Sequence, residues 1–388
     1  MVVLGPPGTT LDFVVTQFAS GVAVEDCQLL EFEAQGRPEP QLRVQIPIPN
    51  TATRENLLRE SIITMAAELL SVDPRNKLED LSGIVIKPGE NPYGVFIKAC
   101  NDNHTEIRAL YETHRTKRNA QQKEKFLSAD YKELVIDQYL LRLANPAIQP
   151  GFKDERNCLV FWARPPEHII LLAAKVQQML KQTAPDLWLM PVYRMHLTVL
   201  EVAFCKTPAE IEALISTIRP AIPSIVSYTH NHRSRLVKPF LSYDLSALAL
   251  SFLPASGEQP ISPPSSGVDL AAEKITGGDD YTYHHLRRDV FDQVQAAGIE
   301  VGSRYQVPSA HITLGRYLSE ADHDTPAKRQ RWIEAIDKVN RWLEDEVWDK
   351  ADAEFTGEWI VGQERGLDAR NGTLWYGGGR TIQLGEGF

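Results

Sequence analysis

His196 and His311 each open the same short phrase, His-Leu-Thr-Val at 196–199 and His-Ile-Thr-Leu at 311–314. Along a strand successive side chains point to opposite faces, so in each phrase His and Thr share one face and the aliphatic residues share the other. Each phrase therefore predicts a strand with a polar face bearing an imidazole and a hydroxyl, and an apolar face turned to a core. Two such strands brought together would surround one pocket with two imidazoles and two hydroxyls. That set suits in-line displacement at phosphorus, one His acting as general base and the other as general acid. With ten His in the chain, chance supplies about 0.2 copies of His-x-Thr-aliphatic, so two copies call for an explanation.

Each phrase has the elements needed to position it. Cys158–Arg164 reads as a strand, and Pro165-Pro166 starts a helix whose Ile169, Leu172, Ala173, Val176 and Leu180 form one face. Residues 188–204 then read as turn plus strand carrying His196. A helix is predicted at about 208–218 and a strand pair at about 234–253. Leu286, Val290, Val294 and Ala297 mark another helix, stopped by Gly298, and 309–317 is the second motif strand. The order strand, helix, motif strand thus occurs twice. This predicts an α+β fold of two pseudo-symmetric antiparallel lobes with outer helices around a central cleft.

Trp332, Ile336, Val339, Leu343 and Val347 predict a long amphipathic helix over 326–347, and turn-rich strands end the chain. Gly377-Gly378-Gly379 reads as a bend or bulge, since no helix follows it to cradle a phosphate. Residues 254–280, rich in Pro, Ser, Gly and Asp, form a loop insertion. Residues 1–150 read as a largely helical N-terminal extension, with helices expected at 53–70 and 104–142, followed by a catalytic domain over 151–388. Gly-Pro-Pro-Gly at 5–8 is a turn, because no Gly-Lys-Ser/Thr follows it. The basic stretch 114–125 reads as a solvated helix face, with attraction of an anionic ligand as the other reading.

The chain has 388 residues, room for two domains or one large domain with extensions, and a formal net charge of −10. A protein that coats duplex nucleic acid usually carries the opposite sign, so a nucleic-acid substrate is expected to be small, single-stranded or an end. Cys27, Cys100, Cys158 and Cys205 are scattered without metal spacing, which reads as reduced thiols. No secretory signal or membrane span is evident, and cytoplasm or nucleus is expected. The oligomeric state is not legible.

The paired motifs resemble the hallmark of the 2H phosphoesterase superfamily. NCLVFWARPP…LWLMPVYRMHLTVLEVA is similar to the first lobe of the bacterial and archaeal 2′-5′ RNA ligase-like phosphodiesterases. HHLRRDVFDQVQAAGI…VPSAHITLGRY is similar to the second, although Ala310 stands where that family has Pro and Gly315 where it has Ala. HRTKRNAQQK, GFKDERNCLVFWARPP and LWYGGGR resemble the fungal RNA ligase/cyclic nucleotide phosphodiesterase proteins. The superfamily likeness spans about 155–320 plus the terminal strands, the fungal one from about residue 80 to the end. Residues 1–75 lie outside both.

The resemblance implies a bilobal phosphodiesterase that needs no metal or other cofactor. It would open 2′,3′-cyclic phosphates of nucleotides or RNA ends to 2′-phosphates. His196 and His311 would be the acid–base pair, and Thr198 and Thr313 would bind the non-bridging oxygens. A non-catalytic nucleotide-binding protein of this fold, or an enzyme recruited to a non-nucleotide substrate, are the other readings. ATP-dependent ligation is not expected, because no Lys-x-Asp/Asn-Gly nucleophile is present.

Arg316, just after the second motif, is a phosphate-binding candidate or a strand-end salt bridge. Tyr193, Trp188, Tyr305 and Tyr317 flank the motif strands and would stack a base or belong to core or rim. His230-Asn231-His232-Arg233 and His284-His285 lack the companions of a metal site. They read as solvated basic segments.

Overall fold

Two apolar stretches, CLVFWA and LTVLEVAF, lie buried on both sides, and each becomes an interior strand of one sheet. The sheet has nine strands. β3 is Asn157–Ala163, β4 Trp188–Leu189, β5 Leu197–Lys206, β6 Arg235–Tyr243, β7 Ala247–Pro254 and β8 Ala310–Arg316. β9 is Trp359–Ile360, β10 Leu367–Gly372 and β11 Arg380–Leu384. The order is β11-β10-β3-β5-β8-β7-β6-β9, with β4 pairing β8 off this path, and every pairing is antiparallel. The two motif strands, β5 and β8, are therefore neighbours at the middle of an α+β fold.

The computed structural model describes residues 82–87, 89–261, 279–303, 306–350 and 352–388, together with β1 (Asp12–Val15) and β2 (Leu42–Gln45). β1 and β2 form their own antiparallel ladder, Phe13 opposite Val44, within a compact unit Met1–Ala66. A second unit, Ala67–Phe388, holds everything else. The helix expected at 53–70, the turn at 5–8 and most of the 254–280 insertion lie outside the described residues.

Among the described residues three helices precede the sheet: α1 (Pro92–Ala99), α2 (His104–Leu127) and α3 (Gln138–Ala144). Each starts at an Asn or Asp whose side chain accepts from the first free backbone N–H groups. The single helix expected over 104–142 is thus two, separated by an extended stretch. There the Leu134 amide donates to the Glu320 carboxylate and Val135 donates to Leu245 O at 2.8 Å, bonds a helix would forbid. The short helix 92–99 was not expected. Tyr93, Phe96, Ile107, Tyr111 and Phe126 join the same core as the sheet.

The basic stretch 114–125 is solvated only in part: Lys117, Lys123 and Glu124 are exposed, but other cations turn inward. Arg115 lies buried, donating to Lys238 O at 2.8 Å with its guanidinium 5.0 Å over Phe240, and Arg118 pairs with Asp244 at 3.0 Å. These cations fasten α2 to β6 and the turn after it.

After β3 come α4 (Glu167–Lys181), α5 (Pro208–Ile218), α6 (Ile222–Val226), α7 (Tyr283–Ala296) and α8 (Pro326–Glu346). Their apolar faces meet the expected positions, with Ile169, Leu172, Val176 and Leu180 of α4 and Trp332, Ile336, Val339 and Leu343 of α8 all buried. No helix among the described residues is long and apolar enough to cross a membrane.

Candidate active site

β5 and β8 meet at one residue couple, Leu197 opposite Ile312. Carrying that antiparallel register one residue each way places His196 opposite Thr313 and Thr198 opposite His311. Directly opposed side chains sit with Cβ atoms about 5 Å apart, so each imidazole has the other strand's hydroxyl as its neighbour. Leu197, Val199, Ile312 and Leu314 are buried in the core, as the alternation of both phrases requires, while the two His and two Thr are partly buried.

All four line one cavity of about 60 Å³, together with Arg316, Glu201, Trp162, Cys158, Val160, Met190, Leu374 and Trp375. At roughly 10–15 Å³ per water position, this space holds several waters, enough for a phosphate group. The Arg316 Nε is buried without a hydrogen-bond partner among the described residues, as a cation awaiting an anion would be. Gly315 beside it allows β4 to approach, since a Cβ there would lie 2.7 Å from Trp188 O.

His196 is held by two contacts. Its Nδ1 is 2.8 Å from Arg194 O, so Nδ1 carries the proton and donates to the carbonyl, leaving Nε2 as the working nitrogen. Its ring stacks on Trp162, a residue of β3 paired with Thr198. Burial pushes its pKa down to about 3, and the charges of Arg164, His311 and Arg370 add to the shift. His311 is engaged through Nδ1 with Ser309 Oγ at 3.0 Å. Burial pushes it down to about 4, helped by Arg287, His114 and Arg118. The two half-sites thus match: each imidazole is oriented through Nδ1 by a residue two positions upstream.

The local field is cationic despite the acidic chain. Arg164 and Arg370 share one buried carboxylate, Asp368, at 3.0 and 3.3 Å. Arg316 and Glu201 line the cavity itself, and the charges of Arg164 and Arg370 reach His196.

A β-bulge brings Glu201 into the site. Trp162 pairs with Thr198 but Phe161 with Leu200, so Val199 is the extra residue and the alternation flips after it. Without the bulge Leu200 would face the cavity. The broken alternation in TVLEV, a charged residue in an apolar strand, was the available signal. Trp162 was legible too, since 158, 160 and 162 share a face of β3. Leu374 and Trp375 had no local signal, because only the pairing of β10 with β3 brings their segment here.

The other candidates are placed differently. Tyr193 lies on the 3₁₀ turn Val192–Arg194, 74% exposed and outside the cavity lining. Trp188 pairs with Arg316 across β4 and β8, its ring 6.3 Å from Tyr376. Tyr317 is core, its hydroxyl accepting from Trp332 Nε1 at 3.1 Å. Tyr305 lies outside the described residues. His284 and His285 are not solvated. His284 bonds Tyr111 at 2.9 Å, and His285 closes the α7 capping box with Thr282 and donates to Asp102 at 2.7 Å. His232 stacks on Tyr228 with centroids 3.8 Å apart. Among the described residues no group of three His, Cys, Asp or Glu is arranged to hold a metal.

No protein-family model and no curated protein matches the chain. Solved structures do. The chain is similar to TT0787 of Thermus thermophilus, at 13% identity and TM-score 0.30, over 55% of this chain and 87% of that one. It is similar to Kluyveromyces marxianus Usb1, at 14% identity and TM-score 0.27, over 56% of this chain and 94% of that one. The Usb1 structure with uridine monophosphate matches at 11% identity and TM-score 0.28, over 59% and 96%.

Proposed function

We propose that the protein is a phosphodiesterase of the 2H type that opens 2′,3′-cyclic phosphates of nucleotides or RNA ends without a metal. The observation that supports this most directly is that His196, Thr198, His311 and Thr313 line one cavity, on two strands joined at Leu197 and Ile312. A cyclic phosphate seated there has a hydroxyl donor from each strand for its non-bridging oxygens and Arg316 for its charge. One imidazole takes a proton from the attacking water while the other gives a proton to the leaving 3′ oxygen. The new P–O bond forms from water, the P–O3′ bond breaks, and a 2′-phosphate and a 3′-hydroxyl result. The cavity admits the phosphate, and its open side leaves room for the rest of the substrate.

The test is a panel of 2′,3′-cyclic mononucleotides, cyclic-phosphate RNA ends and a cyclic ADP-ribose phosphate, each with and without EDTA, followed by phosphorus NMR. Turnover to a 2′-phosphate, unaffected by EDTA, is expected. Binding without turnover across the panel would make this a nucleotide-binding protein instead, and turnover abolished by EDTA would overturn the metal-free chemistry.

A further inference from the structure

Helix α7 reaches β5 and the segment leading into β8 through two side chains one turn apart. Tyr283 donates its hydroxyl to Thr198 O at 2.6 Å, and Arg287, four residues on, donates Nε to Val199 O at 3.2 Å. Val199 is the bulged residue, the one whose backbone the strand ladder leaves without a regular partner. The same guanidinium donates Nη1 to Val307 O at 3.1 Å, four residues before His311. Its Nη2 donates to the Tyr93 hydroxyl at 3.0 Å, and the Tyr93 ring lies 4.2 Å from it. Arg287 is 1% exposed, an expensive place for a cation that does nothing.

We propose that Arg287 is a positioning residue for the pair of half-sites. By holding the carbonyl just after Thr198 and the carbonyl just before Ser309 and His311, one buried fork sets the separation of the two histidines. A planar guanidinium can span two carbonyls in fixed directions, whereas an ammonium on the same helix position acts as a point charge. Arg287 also supplies the first of the charges that depress His311. The groups around that imidazole are Arg287 from α7, His114 and Arg118 from α2, Asp244 from the β6–β7 turn, His196 just before β5 and Ser309 just before β8.

The activity arm of the test rests on the proposed phosphodiesterase reading, and the NMR arm does not. Full-length protein labelled at histidine ring carbons is titrated in wild type, Arg287→Lys, Arg287→Met and Tyr283→Phe, with His196→Asn and His311→Asn assigning the signals. Turnover of 2′,3′-cyclic AMP is measured in parallel. Arg287→Lys should keep the His311 midpoint near wild type yet shift both histidine resonances and lower kcat by roughly 10–100-fold with little change in KM. Arg287→Met should raise the His311 midpoint by on the order of one unit as well. Tyr283→Phe should move the His196 resonance alone. Wild-type resonances and wild-type kcat in Arg287→Lys would overturn the proposal, and this variant decides the matter if Arg287→Met does not fold. If the wild type opens no cyclic phosphate, the functional reading fails, while unmoved histidine resonances in Arg287→Lys would still overturn the role of Arg287 by itself.

Discussion

Trp162 lies flat against His196, with ring centroids 3.6 Å apart and planes 15° from parallel. The same indole has the guanidiniums of Arg164 and Arg370 each 5.1 Å from its ring. The stack keeps the imidazole in one plane, and the indole face favours it once it is protonated. Trp162→Leu should therefore lower kcat roughly 10–100-fold with little effect on KM. It should also cost about 3 kcal/mol or more of stability, because the indole is buried. Trp162→Phe should keep much of the activity. Steady-state kinetics and thermal melts check both, and an active Trp162→Leu protein would remove the stack from the mechanism.

Replacing either imidazole should stop proton transfer without emptying the cavity. His196→Ala and His311→Ala are each expected to lose on the order of 10²–10⁴ in kcat, with the double variant little worse than the singles. Thr198→Val and Thr313→Val should each lose about 10². Calorimetry with the 2′-phosphate product should still show binding to the His variants, and loss of binding there would argue against a purely chemical role.

With His196 pushed down to about 3 and His311 to about 4, both are neutral near pH 7 in the empty protein. A bound phosphate anion raises both, so the proton for the leaving group is held only when substrate is present. The free protein then carries that proton less and less above about pH 4, and kcat/KM should fall about tenfold per pH unit while kcat keeps its optimum at higher pH. Coincident profiles would contradict this.

The same shifts set acid stability. The folded values lie below the ordinary 6.5, so under pH 6.5 the unfolded chain takes up more protons than the folded one. Stability is then complete above about 6.5 and drains away as pH falls toward 3–4. Burial depresses His284 and His323 as well, in the same direction. Melts between pH 7 and pH 5 should show a drop of several degrees, smaller in saturating inorganic phosphate. A flat Tm would contradict the burial argument.

Gly377 sits at φ +71°, and a Cβ there would come within 2.6 Å of Arg194 O, the carbonyl that orients His196. Gly377→Ala should thus lower kcat by roughly tenfold or more through His196, although the residue is 181 positions away in sequence. The His196 Nδ1–H signal by NMR reports whether its bond is lost. A wild-type signal and rate would show that the turn yields instead.

How much of this was legible depended on whether the signal was local. Alternation in HLTV and HITL located both motif strands, and helical spacing in α4, α7 and α8 located the outer layer. The break between α2 and α3 was hidden, because the bonds that end the helix go to Glu320 and Leu245, far along the chain. The inward turn of Arg115 and Arg118 was hidden for the same reason: a charge run looks solvated until the acceptors Lys238 O and Asp244 are placed beside it.

The single rung between β5 and β8 makes the site a matter of registration. A slip of two residues one way sets His196 against His311 and Thr198 against Ser309. Slipped the other way, Thr198 meets Thr313 and His196 meets Gly315. Both slips keep every aliphatic side chain in the core, so hydrophobic burial does not choose among them. Only the present alignment gives each proton carrier a hydroxyl for a neighbour, and Leu197 and Ile312 are where it is decided.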